Sequence, residues 1–429
     1  MLLIAFVIIA VAVYLMIRRV EVRLVLLGAG LLMATLAGQP LAVADTFTAA
    51  MVATMVAPIC AAMGFAAVLA ATGCDRHLVL LLLAPIRRAP GAVIPGGILA
   101  AFFVNMAIPS QTSTAAALGP VLVPLLFAAG VSPEVAGAAL ILGASFGGDL
   151  LSPAAQDVQA IAGVTGLSAP VLSARVIPAI LAGALAATAT FFLLNRRRGE
   201  ADATAEPETP PRLNVAKALV PLVPIALLVI AASGWPPLQW LRRIPEGEEW
   251  QDLKGALPVV RALLIGALLA AVVSWRDIAS IASGLFEGMG VAYGSIISLT
   301  ITAQCFGAGI RALGVSDALI GLLGGSGLFA RALAVGFPWA LAVLSGSGSG
   351  PILAFAQTFL THLDARYDPA TLGALACLAG AFGRTMSPVA AVVIYTSGLV
   401  GVSPVLLVRR LLPALLAGAL VALVVVLLR

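Results

Sequence analysis

The stretch that most constrains this chain is Ser345-Gly-Ser-Gly-Ser-Gly-Pro351, set between the apolar runs Leu328–Leu344 and Ile352–Leu360. Both runs fall short of the ~20 residues that a helix needs to cross a bilayer. A Gly/Ser stretch cannot face lipid, because its N–H and C=O groups find no partners there. It must be buried in protein or line a wet cavity. A re-entrant hairpin satisfies this: a half-helix in, a polar tip, a half-helix out. The second half-helix starts at the tip, where its free N–H groups and dipole favour an anion. Pro109-Ser-Gln-Thr-Ser-Thr114 stands in the same way between Ile94–Ile108 and Ala115–Ala128.

The rest of the chain supplies the membrane setting. Of its 429 residues 61% are hydrophobic and only 10% charged, against about 25% charged in soluble domains. This predicts an all-α polytopic membrane protein of roughly ten spans plus hairpins. Cys60, Cys74, Cys305 and Cys377 fall in or beside apolar runs and read as small core hydrophobes. The two histidines, His77 and His362, read as loop residues, and no Cys/His spacing suggests zinc. No Gly-Lys-Ser/Thr follows the Gly-rich stretch at 324–327, so nucleotide binding is unsupported. No nucleophile–base pair points to an enzyme, a net charge of +5 informs only topology, and no nucleic-acid partner is expected.

In order, spans are expected at Leu2–Ile17, Leu24–Ala37 and Ala49–Ala71, with a loop at Gly38–Phe47. The first hairpin follows at 91–130. Glu134–Val164 is broken by Ser145-Phe-Gly-Gly-Asp-Leu-Leu-Ser-Pro153, and Val171–Leu194 is a further span. Further spans are Ala218–Ser233, Ala256–Val273, a Gly-interrupted Ser283–Ile310 and Leu406–Leu428, and Thr371–Ser397 is again broken. The expected division is scaffold spans at 1–90, a first hairpin and broken helix at 91–195 and a charged, Pro-rich cytoplasmic linker at 196–216. Second scaffold spans follow at 217–327, and a second hairpin and broken helix at 328–429. Sorted by this scheme, fourteen Lys and Arg lie on one side and eight on the other. The positive-inside rule puts the fourteen in the cytoplasm and the N-terminus outside, in the periplasm.

The two halves repeat at an offset of 235 residues. Ser110 pairs with Ser345, Ser152-Pro153 with Ser387-Pro388, Gly166 with Gly401, Ser168 with Ser403, Arg175 with Arg410 and Pro178 with Pro413. The span count inverts one copy relative to the other. Inverted repeats whose broken helices meet near the midplane mark secondary transporters.

The candidate site residues lie at the two tips and the two breaks. The tips offer Ser110, Gln111, Thr112, Ser113 and Thr114, and Ser345, Gly346, Ser347, Gly348 and Ser349. The breaks offer Gly148, Asp149 and Ser152, and Arg384, Thr385 and Ser387. A charge at the bilayer centre costs about 2.5–3.5 kcal/mol on insertion scales, so Asp149 and Arg384 should face a cavity. A guanidinium matches a carboxylate bidentately; the rival reading is an internal Arg384–Asp149 ion pair. Tip hydroxyls and freed carbonyls suit a carboxylate and a Na⁺ near Ser110, Asp149 and Ser345, or else simply cap the helices. Asp149, Ser152, Asn105 and Asp157 are candidates for the coupling ion, Na⁺ or H⁺; Gln156 lies beside them. Asp45, Asp75, Glu134, Glu287 and Asp317 fall near span ends and are expected to be solvated.

Four stretches carry a family resemblance: Ala57-Pro-Ile-Cys-Ala-Ala-Met-Gly-Phe65, Thr72-Gly-Cys-Asp-Arg-His-Leu78, Ile108-Pro-Ser-Gln-Thr-Ser-Thr114 and Leu142-Gly-Ala-Ser-Phe-Gly-Gly-Asp-Leu-Leu-Ser-Pro153. They resemble the DcuC family of anaerobic C4-dicarboxylate carriers, within the ion transporter superfamily. The resemblance implies a bacterial inner-membrane carrier of succinate, fumarate or malate, a homodimer with scaffold and mobile transport domains. It places the family's tip and break motifs on Ser110–Thr114, Gly147–Pro153, Ser345–Pro351 and Gly383–Pro388. Some relatives carry Glu and Asn where this chain has Asp149 and Ser152, which keeps the charge but shortens its reach. The expectation is an inverted-repeat secondary transporter with two re-entrant hairpins, two broken helices and elevator-type alternating access. It has no cofactor beyond the coupling ion. The rival is a Na⁺/H⁺ antiporter, or a carrier of another organic anion or amino acid, on the same fold.

Overall fold

The computed structural model describes the chain except residues 1, 19, 54–55, 87–91, 196–212, 233–234, 248–249, 251–255, 276–277, 315–326, 361–366 and 429. Most of the expected linker lies outside the described residues, as do Asp317, His362 and most of the Gly-rich 324–327 stretch. The described residues are helical, with no strand.

The first half runs α1 (Leu2–Ile17), α2 (Val22–Leu36), α3 (Leu41–Met51), α4 (Val56–Thr72), α5 (Cys74–Leu83), α6 (Val93–Ala107), α7 (Gln111–Ala128) and α8 (Pro133–Ser145). A 3-10 turn (Gly148–Leu151), α9 (Gln156–Thr165) and α10 (Ala169–Asn195) complete it. The second half runs α11 (Val215–Leu219), α12 (Val223–Ala232), α13 (Ala256–Val273) and α14 (Ile278–Val291), a π-helical turn (Ala292–Ile297) and α15 (Ser298–Ala312). Then come α16 (Gly327–Ser345), α17 (Ser349–Thr358), α18 (Pro369–Met386), α19 (Ala391–Val400) and α20 (Pro404–Leu427). Among the described residues eight spans are long and apolar enough to cross a membrane, or ten if two bent pairs are each counted as one.

The 235-residue repeat is visible in the backbone. Gly166 ends α9 at φ 69° and Gly401 ends α19 at φ 70°, the left-handed geometry that closes a helix at little cost only with glycine. The Ser152 carbonyl accepts from the Ala155 N–H at 3.0 Å, and the Ser387 carbonyl from the Ala390 N–H at 3.2 Å. Packing repeats too. By offset α2 corresponds to α13, and α3–α4 to α14–α15. Accordingly α2 packs on α15 and α13 on α4, while α3 packs on α15 and α14 on α4.

The halves meet along α10 and α20, which pack closely at the equivalent glycines Gly183 and Gly418. A Cβ on Gly183 would lie 2.7 Å from the Gly418 carbonyl oxygen and 2.9 Å from Ala422 Cβ. A Cβ on Gly418 would lie 2.5 Å from the Gly183 carbonyl oxygen and 2.7 Å from Ala187 Cβ. Contacts 183–422 and 187–418 have numbers that rise along one helix and fall along the other. The two helices are therefore antiparallel at this crossing, and the reciprocity of the contacts is that of a two-fold axis.

The broken helices form the interior. The α8–α9 span is wholly buried over its apolar window and α18–α19 is 78% buried, against 22–44% for the other six spans. Cys60, Cys74, Cys305 and Cys377 are buried free thiols.

Several expectations need correction. The loop at Gly38–Phe47 is helical from Leu41, and the span drawn at Ala49–Ala71 is instead α3 and α4. Pro40 stands at the start of α3, and Thr46 and Thr48 return their hydroxyls to Ala42 and Ala44 carbonyls at 2.7 and 3.1 Å. Such back-bonding hides polar groups that read as loop. His77 lies within α5, its Nδ1 accepting from the Asn214 N–H at 3.3 Å. Asp75 is buried at the start of the same helix, held by the Arg76 N–H at 2.7 Å, whereas Asp45, Glu134 and Glu287 are exposed. The tips are tighter than drawn. Only residues 108–110 and 346–348 are non-helical, so Gln111–Thr114 form the first turn of α7 and Ser345 ends α16. Consequently α7 and α16, at 18 and 19 residues, are full-length rather than half-length arms, beside α6 at 15 and α17 at 10.

Candidate functional site

Three charged side chains meet where the two broken helices cross. Asp149 sits in the 3-10 turn after α8, Asp157 in the first turn of α9 and Arg384 in the last turn of α18. Their exposures are 1%, 0% and 5%. Arg384 Nη2 lies 3.9 Å from Asp149 Oδ1, and Nη1 lies 3.9 Å from Asp157 Oδ2. Both distances exceed hydrogen-bonding range. Asp149 Oδ1, both Asp157 carboxylate oxygens, Arg384 Nε and Nη2, Gln156 Oε1 and Ser387 Oγ are buried without a hydrogen-bond partner. Buried polar groups are normally paired, because an unpaired one costs about 1–3 kcal/mol and more when charged. This centre is built with capacity to spare.

Asp149 and Arg384 are equivalent positions of the repeat, since 384 minus 149 is 235. Equivalent residues that touch lie at the pseudo-two-fold axis. Opposite charges thus stand at one position of the two copies. Phe146 and Phe382 pack together with ring centroids 5.0 Å apart and planes tilted by 47°, and Phe146 also packs against Gly183 and Gly418. Thr385 ties the broken helices together: its hydroxyl lies 2.7 Å from the Ser145 carbonyl oxygen and 2.8 Å from the Ser145 hydroxyl.

The tips reach this centre by different routes. Gln111 Nε2 donates to Asp149 Oδ2 at 2.8 Å, and the Asp149 N–H donates to Asn105 Oδ1 at 2.9 Å. Asn105 Nδ2 in turn donates to the Ile108 carbonyl at 3.2 Å and approaches Thr114 Oγ1 at 3.4 Å. The first tip therefore grips one carboxylate oxygen of Asp149 and its backbone. Ser110 caps α7: its Oγ accepts from the Ser113 N–H at 3.3 Å and the Ser113 hydroxyl at 2.9 Å. Ser113 is exposed, Thr112 half-buried, and Gly148 packs against the Phe102 carbonyl, where no side chain fits.

At the second tip Gly348 lies against the guanidinium. A Cβ there would stand 3.1 Å from Arg384 Nη1. Gly346 takes φ 71° and packs on the Val389–Ala390 backbone of the second break. Ser345 donates back to the Leu341 carbonyl at 2.7 Å, while Ser347 and Ser349 are half-buried at the start of α17. Ser152 Oγ accepts from the Ala154 N–H at 3.2 Å. The contacts thus run from first tip to first break, across to the second break and on to the second tip. Three links escaped the sequence reading: Gln111 to Asp149, Asp157 to Arg384, and Gly348 to Arg384. The 235-residue register already pairs Asp149 with Arg384, but nothing in it points to Asp157, whose counterpart is the apolar Val392.

The unpartnered oxygens bear on the Na⁺ expected near Ser110, Asp149 and Ser345. Asp149 Oδ1, the Asp157 oxygens and Ser387 Oγ are each oxygen atoms of the kind a hard cation takes, and no group of three or more His, Cys, Asp or Glu side chains that could hold a metal ion is found among the described residues. Ser110 and Ser345 spend their hydroxyls within their own tips. The buried oxygens left without a partner are thus those of the aspartates and Ser387 rather than those of Ser110 and Ser345.

A family profile described as C4-dicarboxylate anaerobic carrier, DcuC, matches residues 32–429. An uncharacterized transporter of Haemophilus influenzae is 35% identical over 209 residues, covering 48% of this chain and 71% of that one. The anaerobic C4-dicarboxylate transporter DcuC of Escherichia coli K12 is 25% identical over 382 residues, covering 84% of this chain and 78% of that one. Among solved structures, Neisseria gonorrhoeae MtrF, from work on a class of antimetabolite efflux pumps, superposes with a TM-score of 0.64. That match covers 89% of this chain and 82% of MtrF at 18% identity, a likeness of fold alone.

Proposed function

The chain belongs to the DcuC family of membrane transporters, and from that membership we propose that it carries succinate, fumarate, malate or similar C4-dicarboxylates across the bacterial inner membrane. The observation that carries the site assignment is Arg384, buried with Nε and Nη2 unpartnered between two aspartates that it does not hydrogen-bond. A substrate carboxylate supplies the acceptors that this guanidinium lacks. The start of α17 at Gly348 adds N–H groups and the positive end of a helix dipole. Tip residues Gln111–Thr114 and Ser345–Ser349, with Gly148, Thr385 and Ser387, enclose the anion.

Charge supports cation coupling or exchange. Two ionised aspartates and one arginine sum to a net −1 in a buried centre, and a dianion would take it to −3. Burying such an excess costs several kcal/mol per uncompensated ion. Protons or Na⁺ on Asp149 and Asp157 therefore accompany the substrate, or one dianion replaces another. Movement is an elevator-type displacement of the hairpins and broken helices against the scaffold spans, in a homodimer with the N-terminus in the periplasm. The re-entrant hairpins and inverted repeat of the ion transporter superfamily belong to the same reading; it rests on the two interrupted pairs α6–α7 and α16–α17 and on the antiparallel α10–α20 crossing.

The test is succinate uptake into proteoliposomes with separately imposed Na⁺ and pH gradients, for wild type, Arg384→Ala and Arg384→Lys. Uptake that needs a cation gradient or internal dicarboxylate, and is lost in both variants, is expected. A Na⁺/H⁺ antiporter makes the aspartates the ligands and leaves Arg384 structural. Cation exchange without succinate, unaffected by Arg384→Lys, would establish that rival instead. Counterflow with other organic anions and amino acids fixes the substrate class.

A further inference from the structure

The two tips are equivalent by the 235-residue register, yet their ties to the site differ. At the first, Gln111 Nε2 holds Asp149 by a carboxylate oxygen at 2.8 Å, and Asn105 Oδ1 holds it by its N–H at 2.9 Å. Asn105 Nδ2 and the Thr114 hydroxyl both donate to the Ile108 carbonyl at 3.2 Å, and Pro109 fixes its own φ beside them. Arm, tip and break are thereby one hydrogen-bonded piece.

The second copy replaces these anchors. Asn105, Gln111, Ser113 and Ala115 correspond to Ala340, Gly346, Gly348 and Gly350. No amide side chain stands at these positions, and three glycines fall where residues 108–115 have none. Glycine leaves the backbone more conformations to choose from. Among the described residues, the hydrogen bonds of Ser345, Gly346 and Ser347 stay within the tip and its first arm. The Gly346 N–H donates to the Ala342 carbonyl at 2.9 Å, the Ser345 hydroxyl to the Leu341 carbonyl at 2.7 Å and the Ser347 N–H to Ser345 Oγ at 3.3 Å. The tip's outward contacts are the Val389–Ala390 backbone under Gly346, Arg384 Nη1 against Gly348 and Asp157 beside Ser349. The first tip is thus held by neutral amides, whereas the second rests on the charges that a ligand would engage.

Room to move lies on the other side of the second tip. A cavity there is lined by Ser345, Ser347 and Gly350 and, facing them, by Leu26, Leu299 and Phe306 of α2 and α15. The first arm is pinned: α16 packs on α18 at Gly383, where a Cβ would stand 2.5 Å from the Trp339 carbonyl oxygen. Movement therefore falls on the tip itself. We propose that residues 345–350 are the gate of the site and that the first tip is its fixed wall. Opening lifts Gly348 and Ser349 from Arg384 and Asp157 into the cavity. A carboxylate on Arg384 meets the guanidinium on one side and the N–H groups at the start of α17 on the other, and so draws the gate shut. That closing step rests on the transport reading above; the unequal mobility of the two tips does not.

The test is hydrogen–deuterium exchange of the full chain in phospholipid nanodiscs, with intrinsic sequence-dependent rates divided out. Without ligand, amides 346–350 should exchange at least about tenfold faster than amides 111–115. Succinate with Na⁺ should slow 346–350 at least about tenfold and leave 111–115 within about twofold. Gly350→Ala gives the second tip the residue that the first has at the equivalent position, and its Cβ would meet only the flexible end of Leu299, at 3.0 Å. This variant should slow ligand-free exchange at 346–349 and lower kcat for succinate uptake about threefold or more, with KM no higher. Equal exchange at the two tips, faster exchange at the first, or succinate protection shared by both would each overturn the proposal. Succinate that alters neither tip would count against the dicarboxylate reading, and the ligand-free comparison then decides by itself whether the tips differ.

Discussion

Arg384 has a carboxylate oxygen 3.9 Å from each terminal nitrogen and hydrogen-bonds neither. Were it a structural ion pair, the fork would close on Asp149 at ordinary range. Arg384→Lys keeps the charge and loses the fork, so its effect isolates bidentate recognition. Succinate uptake should fall at least about tenfold, the lower end of what a charge-assisted hydrogen bond contributes. Gln111→Ala releases Asp149 Oδ2 and should raise the KM for succinate about tenfold. Asp157→Asn removes a fully buried carboxylate that lies 3.9 Å from Arg384; uptake should lose most of its dependence on the imposed cation gradient. A variant that retains the full gradient dependence would move coupling to Asp149. Depth was legible in the sequence for Asp149 and Arg384, because a charge inside a long apolar run has few places to go. Direction was not. Asp157 and Gln111 stand within a few residues of a break, where a one-residue change in helix start turns a side chain by about 100°, and only coordinates settle which way they point.

At the level of helices, the glycine pair in α10 and α20 decides how closely the halves approach. Gly183→Leu would push a side chain into the Gly418 carbonyl, an inflexible backbone neighbour. Overpacking of this kind costs about 1–3 kcal/mol or more, so the detergent-purified protein should melt at a lower temperature, and Gly418→Leu should do the same. Caps make a second, smaller contribution. Asp368 caps α18, accepting from the Ala370 N–H at 3.0 Å and the Thr371 hydroxyl at 2.7 Å, with Arg175 of α10 at 3.3 Å. Partial burial pushes its carboxyl up, but the Thr371 and Ala370 hydrogen bonds and the Arg175 charge outweigh it and hold it below the usual carboxylate range. Its contribution is therefore present above the ordinary aspartate pKa and lost as pH falls through the lowered one. Asp368→Ala should cost about 0.5–2 kcal/mol at neutral pH, and the gap from wild type should close in acid. Helices bounded by an unbroken apolar run were legible: α1 and α13 begin and end where the sequence places them. Helix α3 was not, since its Thr and Asp residues and the Pro40 before it read as loop until the hydroxyls are seen to fold back. Nor were the arm lengths at the tips, because Gln111–Thr114 and Ser345 are polar residues that join helices rather than interrupt them.

For the molecule as a whole, the antiparallel crossing of α10 and α20 carries a consequence for the membrane. Both helices start at equivalent positions, α10 after Gly166–Ser168 and α20 after Gly401–Ser403. If both span the bilayer and run in opposite directions, those two starts lie on opposite faces of it. Charge says which is which. Arg196, Arg197 and Arg198 follow the end of α10, and Arg409 and Arg410 stand near the start of α20, so the positive-inside rule places both of those ends in the cytoplasm. On the orientation proposed above, Ser168 is expected in the periplasm and Ser403 in the cytoplasm, and both are exposed. The chain suits the measurement because its four native thiols are all buried. A membrane-impermeant maleimide should label Ser168→Cys in intact cells and Ser403→Cys only after permeabilisation. Labelling of both from the same side would contradict inversion of the two halves, and with it the argument that Asp149 and Arg384 meet on an axis lying in the membrane plane. Labelling of Ser403→Cys alone in intact cells would keep the inversion and reverse the orientation, moving the N-terminus to the cytoplasm.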